Sequence, residues 1–264
     1  MTHAPDSLVV SHGCGASAVD RLYARPMAVI PPFRFNAPVA AVFDDMVRRS
    51  VPGYEDLIAL AAGHAAALAP GPRVIYDVGA SLATAALAMA RVRRCPGTRV
   101  LAIDRAPAMV AAARRRVAAD APRVPCAQVV VIEGDIRALA LEPADLIVVY
   151  FTLQFVPRAD RTRVMAHLAS ALRPGGRLLL AEKVVREDAA AQARVRRQYQ
   201  DFKRRQGYSL LEIDQKHRAL AGVLEPDTPE THEDRLARVG LPKVARCFDR
   251  LGFMAWEATT GASQ

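Results

Sequence analysis

Several common signatures are missing from this 264-residue sequence, and each absence narrows the class of protein. The four cysteines, Cys14, Cys95, Cys126 and Cys247, include no C-x-x-C pair, so their spacing indicates neither a zinc site nor a disulfide framework. No apolar run reaches the roughly 18 residues that a membrane-spanning helix needs, and no signal-peptide core is recognisable. We therefore expect a cytoplasmic protein with no metal site and no membrane contact.

Acidic residues are also in deficit, with 27 Asp and Glu against 36 Lys and Arg and a formal net charge of +9. This balance is compatible with an anionic substrate or a nucleic acid, but an ordinary solvated arginine-rich surface is the more common cause of such a charge. Hydrophobic residues make up 52% of the chain, which predicts one large globular core. Residues 1–34 mix Pro, Gly, Ser and His without periodicity and are predicted to form a loose extension, leaving 35–264 as one domain.

The three-glycine dinucleotide fingerprint is absent, but a shorter turn takes its place. A β-branched run from Val74 reaches Asp77 and Gly79, and an alanine-rich stretch from Thr84 predicts a helix. Strand, glycine turn and helix together open a nucleotide-binding unit, because glycine admits close backbone approach and a helix start offers free N–H groups. Taken alone, the turn is equally compatible with an ordinary connection between a strand and a helix.

Three more apolar runs alternate with helical segments, which indicates a parallel α/β sheet. The first of them ends in Asp104, 25 residues after Gly79 and near the usual position of a ribose-binding acid. A carboxylate there can accept both ribose hydroxyls, or it can cap the next helix. Because parallel sheets bind ligands at the carboxyl ends of their strands, we expect Asp77, Gly79, Asp104 and Asp135 to gather there.

Helical patterns surround these strands. Residues 38–49 and 54–69 predict two leading helices, with Tyr54 placed either over a ligand or in the core. A Pro-Gly-Gly turn over 173–177 is predicted to precede a fifth strand at 178–183. The charged stretch 187–223 is too long for a simple crossover, so we interpret it as a helical lid insertion. The last segments, 239–241, 244–248 and 253–257, are predicted to return to the sheet and end in an antiparallel hairpin.

These stretches resemble the carboxy-S-adenosyl-L-methionine synthases, relatives of the S-adenosylmethionine (AdoMet) methyltransferases. The resemblance runs from about Phe35 to the C-terminus, and its most specific parts are Ser50-Val51-Pro52-Gly53-Tyr54 and Phe151-Thr152-Leu153-Gln154-Phe155. Glu182-Lys183, Asp201-Phe202-Lys203-Arg204, Gln215-Lys216 and Glu230-Thr231-His232 also match. The resemblance implies a Rossmann-like class I AdoMet methyltransferase fold, in which a mostly parallel sheet carries a C-terminal antiparallel hairpin and the lid.

The family activity implied is conversion of AdoMet and prephenate to carboxy-AdoMet and phenylpyruvate, for tRNA wobble-uridine modification. The implied cofactor is AdoMet or carboxy-AdoMet, and the implied partners are prephenate or another anionic acceptor and a second copy of the chain. Direct nucleic-acid binding is not required. By position, Asp104 would bind the ribose, and Asp135 with the Ile136 amide would bind the adenine. The cofactor site implied by the family comprises Tyr54, Gly79, Ala80, Ser81, Asp104, Arg105, Asp135 and Ile136.

The sequence departs from the family pattern at several of these positions. The glycine turn reads Gly79-Ala80-Ser81-Leu82-Ala83, where the family has Gly-Cys-Ser-Leu-Gly. Tyr150 replaces an asparagine, and His217 replaces an arginine that pairs with the new carboxylate. Arg218 follows one residue later, turned by about 100° on a helix. We include Tyr150, His217 and Arg218 among the predicted cofactor-binding residues and assign no catalytic residue.

Two other functions stay open at this point. One is a conventional AdoMet-dependent methyltransferase that acts on a small molecule, with the lid built around another acceptor. The other is a catalytically silent protein that binds the cofactor or RNA, which the basic charge allows but the set of Asp77, Gly79 and Asp104 disfavours.

Overall fold

A twisted sheet of seven strands organises residues 18–120 and 127–260, the parts of the chain that this computed structural model describes. The spatial order is β3-β2-β1-β4-β5-β7-β6; β1 to β5 are parallel, and β7 runs antiparallel to both β5 and β6. The strands are β1 Val74–Val78, β2 Arg99–Asp104, β3 Gln128–Glu133, β4 Ala144–Tyr150, β5 Leu172–Lys183, β6 Lys243–Arg250 and β7 Phe253–Thr259. The predicted mostly parallel α/β sheet with an antiparallel C-terminal hairpin is confirmed.

Helices cover both faces of this sheet. α2 and α3 share one apolar cluster with β1 and β4, whereas α5 and α8 pack in a second cluster on the opposite face. The helices are α1 Ala37–Ser50, α2 Tyr54–Ala66, α3 Thr84–Val92, α4 Pro107–Ala119, α5 Arg158–Ser170, α6 Ala189–Arg205, α7 Leu210–Leu220 and α8 Pro229–Arg238. None of the helices within the described ranges is long and apolar enough to cross a membrane.

The central strands explain why the sheet is recognisable in the sequence. Every residue of β1 and β4 is buried, as expected for strands covered by helices on both faces. The chain order reverses between β1 and β4, because β2 and β3 extend the sheet on one side and β5 on the other. Ligands bind at this switch point, beyond the carboxyl ends of the strands.

Two predictions along the second half of the chain were wrong. The segment 173–177 does not form a turn before β5 but belongs to that strand, which adapts through a register irregularity between Ala144 and Leu146 and through Gly175, where φ is +75°. Residues 239–241 are not a strand of the sheet; they belong to the connection between α8 and β6. That helix was not predicted, although Thr228 and Pro229 carry its start signal: the Thr228 hydroxyl oxygen accepts the Thr231 N–H at 3.2 Å.

The stretch 187–223 contains two helices, α6 and α7. The chain turns between them at Gly207, where φ is +87°. A capping box then starts α7: the Ser209 hydroxyl oxygen accepts the Glu212 N–H at 3.2 Å, and the Glu212 carboxylate accepts the Ser209 N–H at 2.8 Å. A local polar motif therefore sets the point at which this long segment breaks.

Residues 18–34 form an N-terminal strap, by which we mean a stretch without helix or strand that lies across α7. The first 17 residues of the predicted loose extension lie outside the described residues, but the strap is packed. The Gln215 side chain donates to the carbonyls of Tyr23 and Arg25 and accepts the Met27 N–H, all within 2.9 Å. Asp20, 2% exposed, accepts the Tyr208 hydroxyl at 2.6 Å. Long-range polar contacts therefore order a segment that has no periodic pattern.

Candidate active site

A cleft of about 640 Å³ opens at the switch point of the sheet. Its floor is made by the segments that follow β1, β2, β3, β4 and β5, and its roof by the strap and by α1, α2, α6 and α7. This volume is typical of a small-molecule site. Asp77, Gly79, Asp104 and Asp135 all line it, so the predicted gathering of these residues at the carboxyl ends of the strands is confirmed.

The turn after β1 brings backbone close to the cleft. Gly79 has φ of +73°, a conformation that favours glycine, and both its N–H and that of Ala80 donate to the Ile103 carbonyl, at 2.8 and 2.9 Å. Thr152, which follows β4, lies against the turn and donates its hydroxyl to the Val78 carbonyl at 2.9 Å. The backbone surface at Gly79 is therefore fixed by contacts from both neighbouring strands.

Asp104 ties the ends of β1 and β2 together. One carboxylate oxygen accepts the Ser81 N–H and the other accepts the Ala106 N–H, both at 2.8 Å. Burial raises the pKa of Asp104, while these two N–H donors oppose the rise. Ala106 is the N-cap of α4, so the two roles considered for Asp104, capping and ligand binding, are compatible in one side chain.

Asp135 is already engaged by a neighbouring arginine. Arg137 donates to its carboxylate at 2.6 to 3.1 Å, and this contact lowers the pKa of Asp135 to about 2. Arg105 lies farther away, with 3.9 Å between its guanidinium and the same carboxylate. A ligand that binds the Asp135 side chain must share it with Arg137, which the sequence did not indicate.

Aromatic side chains close the cleft from above. Phe35 makes edge-on contacts with Phe33 at 5.2 Å and Phe155 at 5.0 Å between ring centres, and all three line the cleft together with Phe43. Tyr54 also lines it, and burial raises its pKa to about 12. The sequence predicted Tyr54 but none of these four phenylalanines, because their rings come from the strap, the link between the strap and α1, α1 itself and the segment after β4.

Tyr150 adds an unusual polar group to the floor. Its hydroxyl is buried and has no hydrogen-bond partner in the part of the chain described. Burial raises its pKa, so the phenol is neutral at physiological pH. A neutral buried hydroxyl that lines a cleft is available to a ligand, because leaving it unpaired is costly.

Glu182 holds the segment that follows β4. Its two carboxylate oxygens accept the backbone N–H groups of Thr152, Leu153 and Gln154 at 3.0, 2.7 and 3.2 Å. The side chain is fully buried, and burial raises its pKa while the N–H donors oppose the rise. Glu182 therefore fixes the position of Thr152 against Gly79 without lining the cleft itself.

Lysines form one corner of the cleft. Lys183, at the end of β5, and Lys216, on α7, both line it. The Lys216 ammonium donates to the Ser50 hydroxyl at 3.1 Å and lies 3.7 Å from the Asp20 carboxylate. Burial lowers the pKa of Lys216 to about 8 and also lowers that of Lys183. Both lysines belong to stretches that match the family, but no role had been assigned to them.

His217 and Arg218 do not line this cleft, in contrast to the prediction. His217 lines a smaller polar pocket between α6 and α7, and Arg218 is exposed and donates to Asp214 at 2.9 Å. The reason is helical geometry: Lys216 and Leu220, four residues apart, face the cleft, so residues 217 and 218 point to other sides of α7. The other nine predicted residues, Tyr54, Gly79, Ala80, Ser81, Asp104, Arg105, Asp135, Ile136 and Tyr150, line the cleft, and their binding of AdoMet stays a prediction.

Comparison with known sequences gives close relatives. A family model described as a methyltransferase domain matches residues 75–176. The chain is 43% identical over 235 residues to the carboxy-S-adenosyl-L-methionine synthase of Ectopseudomonas mendocina (strain ymp), covering 89% of this chain and 95% of that protein. The protein of the same name from Pseudomonas fluorescens (strain Pf0-1) is 42% identical, with the same coverage.

Comparison with solved structures identifies the fold. An O-methyltransferase family protein from Burkholderia thailandensis aligns with a TM-score of 0.63 and 18% identity, over 90% of this chain and 66% of that chain. Human N-acetylserotonin methyltransferase in complex with SAM aligns with a TM-score of 0.56 and 16% identity, over 85% and 56%. At such low identity the likeness shows the fold alone, and it is the Rossmann-like class I methyltransferase fold that the sequence predicts.

Proposed function

Because the chain belongs to the carboxy-S-adenosyl-L-methionine synthase family, and is thus an AdoMet-dependent transferase, we propose that it converts AdoMet and prephenate to carboxy-AdoMet and phenylpyruvate. The observation that carries the proposal is a single cleft with two chemically different ends. One end, at Gly79 and Asp104, offers backbone and a carboxylate, and the other, at Lys183 and Lys216, offers ammonium groups. A cationic cofactor and an anionic second substrate fit these two ends.

The residues at the first end fit AdoMet. The Gly79 turn suits the methionine half, because a glycine with φ of +73° lines the cleft with backbone and no side chain. Asp104 retains acceptor capacity for ribose hydroxyls after its two N–H contacts, because each carboxylate oxygen has two lone pairs. Asp135 and the Ile136 amide are proposed for the adenine, and the unpaired Tyr150 hydroxyl for a polar group of the ligand.

The reaction needs a site that protects its carbon dioxide. AdoMet supplies a methyl group made acidic by the adjacent sulfonium; this group loses a proton and takes up the carbon dioxide leaving prephenate, and the proton departs with the prephenate hydroxyl as water. The contribution of the chain is to exclude other water and to hold the reactants together. The wall of Phe33, Phe35, Phe43 and Phe155 suits the first task, and the lysine corner suits the second.

We also propose a homodimer, as the family resemblance implies. Leu210 and Leu211 on α7 are 55% and 36% exposed, and Met27 of the neighbouring strap is 38% exposed, which leaves an apolar surface for a second copy to cover. Light scattering at micromolar concentration should give the mass of two chains, and a monomer would contradict this part of the proposal. The product would serve tRNA wobble-uridine modification in the cytoplasm through another protein, and α6 with α7 would act as the lid.

One observation favours a second function, a conventional AdoMet-dependent methyltransferase that acts on a small molecule. His217 takes the place of the family arginine that pairs with the new carboxylate, and its side chain lies outside the cleft. A site without that arginine could instead accept a methyl acceptor. This alternative predicts that AdoMet is converted to its demethylated product.

Mass spectrometry distinguishes the two functions. The purified protein is incubated with AdoMet and prephenate, with an enzyme-free mixture as the control for spontaneous prephenate breakdown. Carboxy-AdoMet and phenylpyruvate should appear in equal amounts and only with the protein present. Unchanged AdoMet in the presence of prephenate would contradict the proposal, and a demethylated product formed with a small acceptor would support the alternative.

A further inference from the structure

Two ammonium groups converge on one aromatic ring at the edge of the cleft. The Lys183 ammonium lies 5.1 Å from the centre of the Tyr199 ring, and the Lys203 ammonium lies 4.4 Å from it. Tyr199 lines both the cleft and the small pocket between α6 and α7; Lys183 belongs to the first and Lys203 to the second. Both charges are therefore close enough to act on one small ligand.

Neither of these two lysines has an acidic partner within residues 18–120 and 127–260. Lys216 differs, because Asp20 lies 3.7 Å from it. The charged groups around Lys203 are mostly cations: Lys183 on β5, Arg196 on its own helix, and Lys216 and His217 on α7. The one carboxylate in the small pocket, Asp214, already accepts hydrogen bonds from Arg218.

The electrostatic consequence is visible in the lysines themselves. Burial, and then the charges of Lys183, Lys216 and Arg196, lowers the pKa of Lys203 to about 7. Burial also lowers the pKa of Lys183, with Arg196 adding to the effect. Cations crowded together without a counter-ion destabilise the free protein, and a bound anion would relieve that cost.

The ring between the two lysines is held in place. The Tyr199 hydroxyl donates to the Ser50 carbonyl at 2.8 Å. The ring stacks on Phe202 at 6.5 Å and contacts Phe253 at 5.3 Å between centres. Lys183 is anchored at its backbone, where its N–H donates to the Gln154 side chain at 3.3 Å. The ring near which both ammonium groups lie is therefore fixed by contacts from α1, α6 and β7.

We propose that Lys183 and Lys203, whose ammonium groups both lie near the Tyr199 ring, bind the two carboxylates of a dicarboxylate second substrate. This assignment rests on the proposed function, in which that substrate is prephenate. Two cations match the dianion, whereas phenylpyruvate keeps only one carboxylate after its carbon dioxide has been transferred. The same pair therefore binds the substrate more tightly than the product and favours product release.

Steady-state kinetics with AdoMet-saturated protein tests the assignment. Lys183→Met and Lys203→Met should each raise the KM for prephenate about tenfold to a hundredfold, the usual range for losing one charge-assisted contact. The Kd for AdoMet, measured separately by calorimetry, should stay within about twofold of wild type, because both lysines are assigned to the second substrate and not to AdoMet. Lys243→Met, which removes an exposed lysine from β6, is the matched control.

A second readout separates binding from a structural role. Lys203→Arg keeps the charge at all relevant pH values and should restore most of the wild-type KM. In wild type, the KM should rise above about pH 7 as free Lys203 loses its proton, and this rise should disappear in Lys203→Arg. Phenylpyruvate should inhibit the enzyme more weakly than malate, a dicarboxylate that does not react. This difference would support the proposal that the two lysines bind two carboxylates.

The outcomes separate this assignment from the function on which it rests. Turnover of prephenate with an unchanged KM in both methionine variants would overturn the assignment and leave the function standing. No turnover by wild-type protein that binds AdoMet would overturn both together.

Discussion

Thr152 lies directly against Gly79: a methyl group added at Gly79 would come within 2.1 Å of the Thr152 hydroxyl oxygen. This oxygen cannot easily move away, because its proton is donated to the Val78 carbonyl and threonine is stiff about its first side-chain bond. The contact joins the ends of β1 and β4, the two strands between which the sheet order reverses. It therefore sets the shape of the cleft floor.

Gly79→Ala should lower both stability and AdoMet affinity. The matched control is Gly175→Ala, because Gly175 has a similar φ of +75° but no atom within 4 Å of the added methyl. The control should lose roughly 1–2 kcal/mol of unfolding free energy from backbone strain alone. Gly79→Ala should lose at least about 1 kcal/mol more through overpacking. If both variants lose the same unfolding free energy in denaturant titrations, the contact with Thr152 does not contribute to the effect of Gly79→Ala.

Asp104→Ala should weaken AdoMet binding about tenfold or more. The substitution removes a charged acceptor of ribose hydroxyls, a contact of about 1.5–3 kcal/mol, and also frees the Ser81 and Ala106 N–H groups. Asp234→Ala, at an exposed position on α8, is the control and should bind as wild type does. Titration calorimetry measures both. Unchanged affinity in Asp104→Ala would remove this carboxylate from the cofactor site.

Glu182→Gln should destabilise the protein by about 1–3 kcal/mol, although glutamine has nearly the same size. Three backbone N–H groups point at the carboxylate, and an amide can offer them only one acceptor oxygen. At least one buried N–H would then face another donor. Glu133→Gln, at an exposed position of β3, should change stability little. Thermal unfolding that shows equal melting temperatures for both variants would contradict this role for Glu182.

Lys203→Met should raise the unfolding free energy of the ligand-free protein, although it should weaken the binding of prephenate. In the folded state Lys203 has a pKa of about 7, below its ordinary value of 10.5, so the unfolded chain binds more protons between these two values. The buried charge therefore lowers the unfolding free energy of wild type by its full amount below pH 7, and this loss shrinks as the pH rises towards 10.5. The advantage of the variant should be largest at pH 6 and fade by pH 10. A constant or reversed difference in unfolding free energy would contradict it.

The sequence predicted best what local chemistry decides. The Gly79 turn and Asp104 follow apolar strands directly, and the sheet topology then brings them together. Sequence periodicity could not place the lysine corner, since Lys183 comes from β5 and Lys216 from α7. The resemblance pointed to α7 for a residue at the cleft but to the wrong side of that helix, because Lys216 lines the cleft and His217 does not.

The N-terminal strap limits where the chain can be shortened. A version that begins at Phe35 would match the domain boundary predicted from the sequence, but it would strip Gln215 of three hydrogen bonds and Tyr208 of its Asp20 acceptor. The Lys216 ammonium would lose its nearby carboxylate as well. Trimming for crystallisation or attachment of an affinity tag should therefore leave Asp20 and the rest of the strap after it in place.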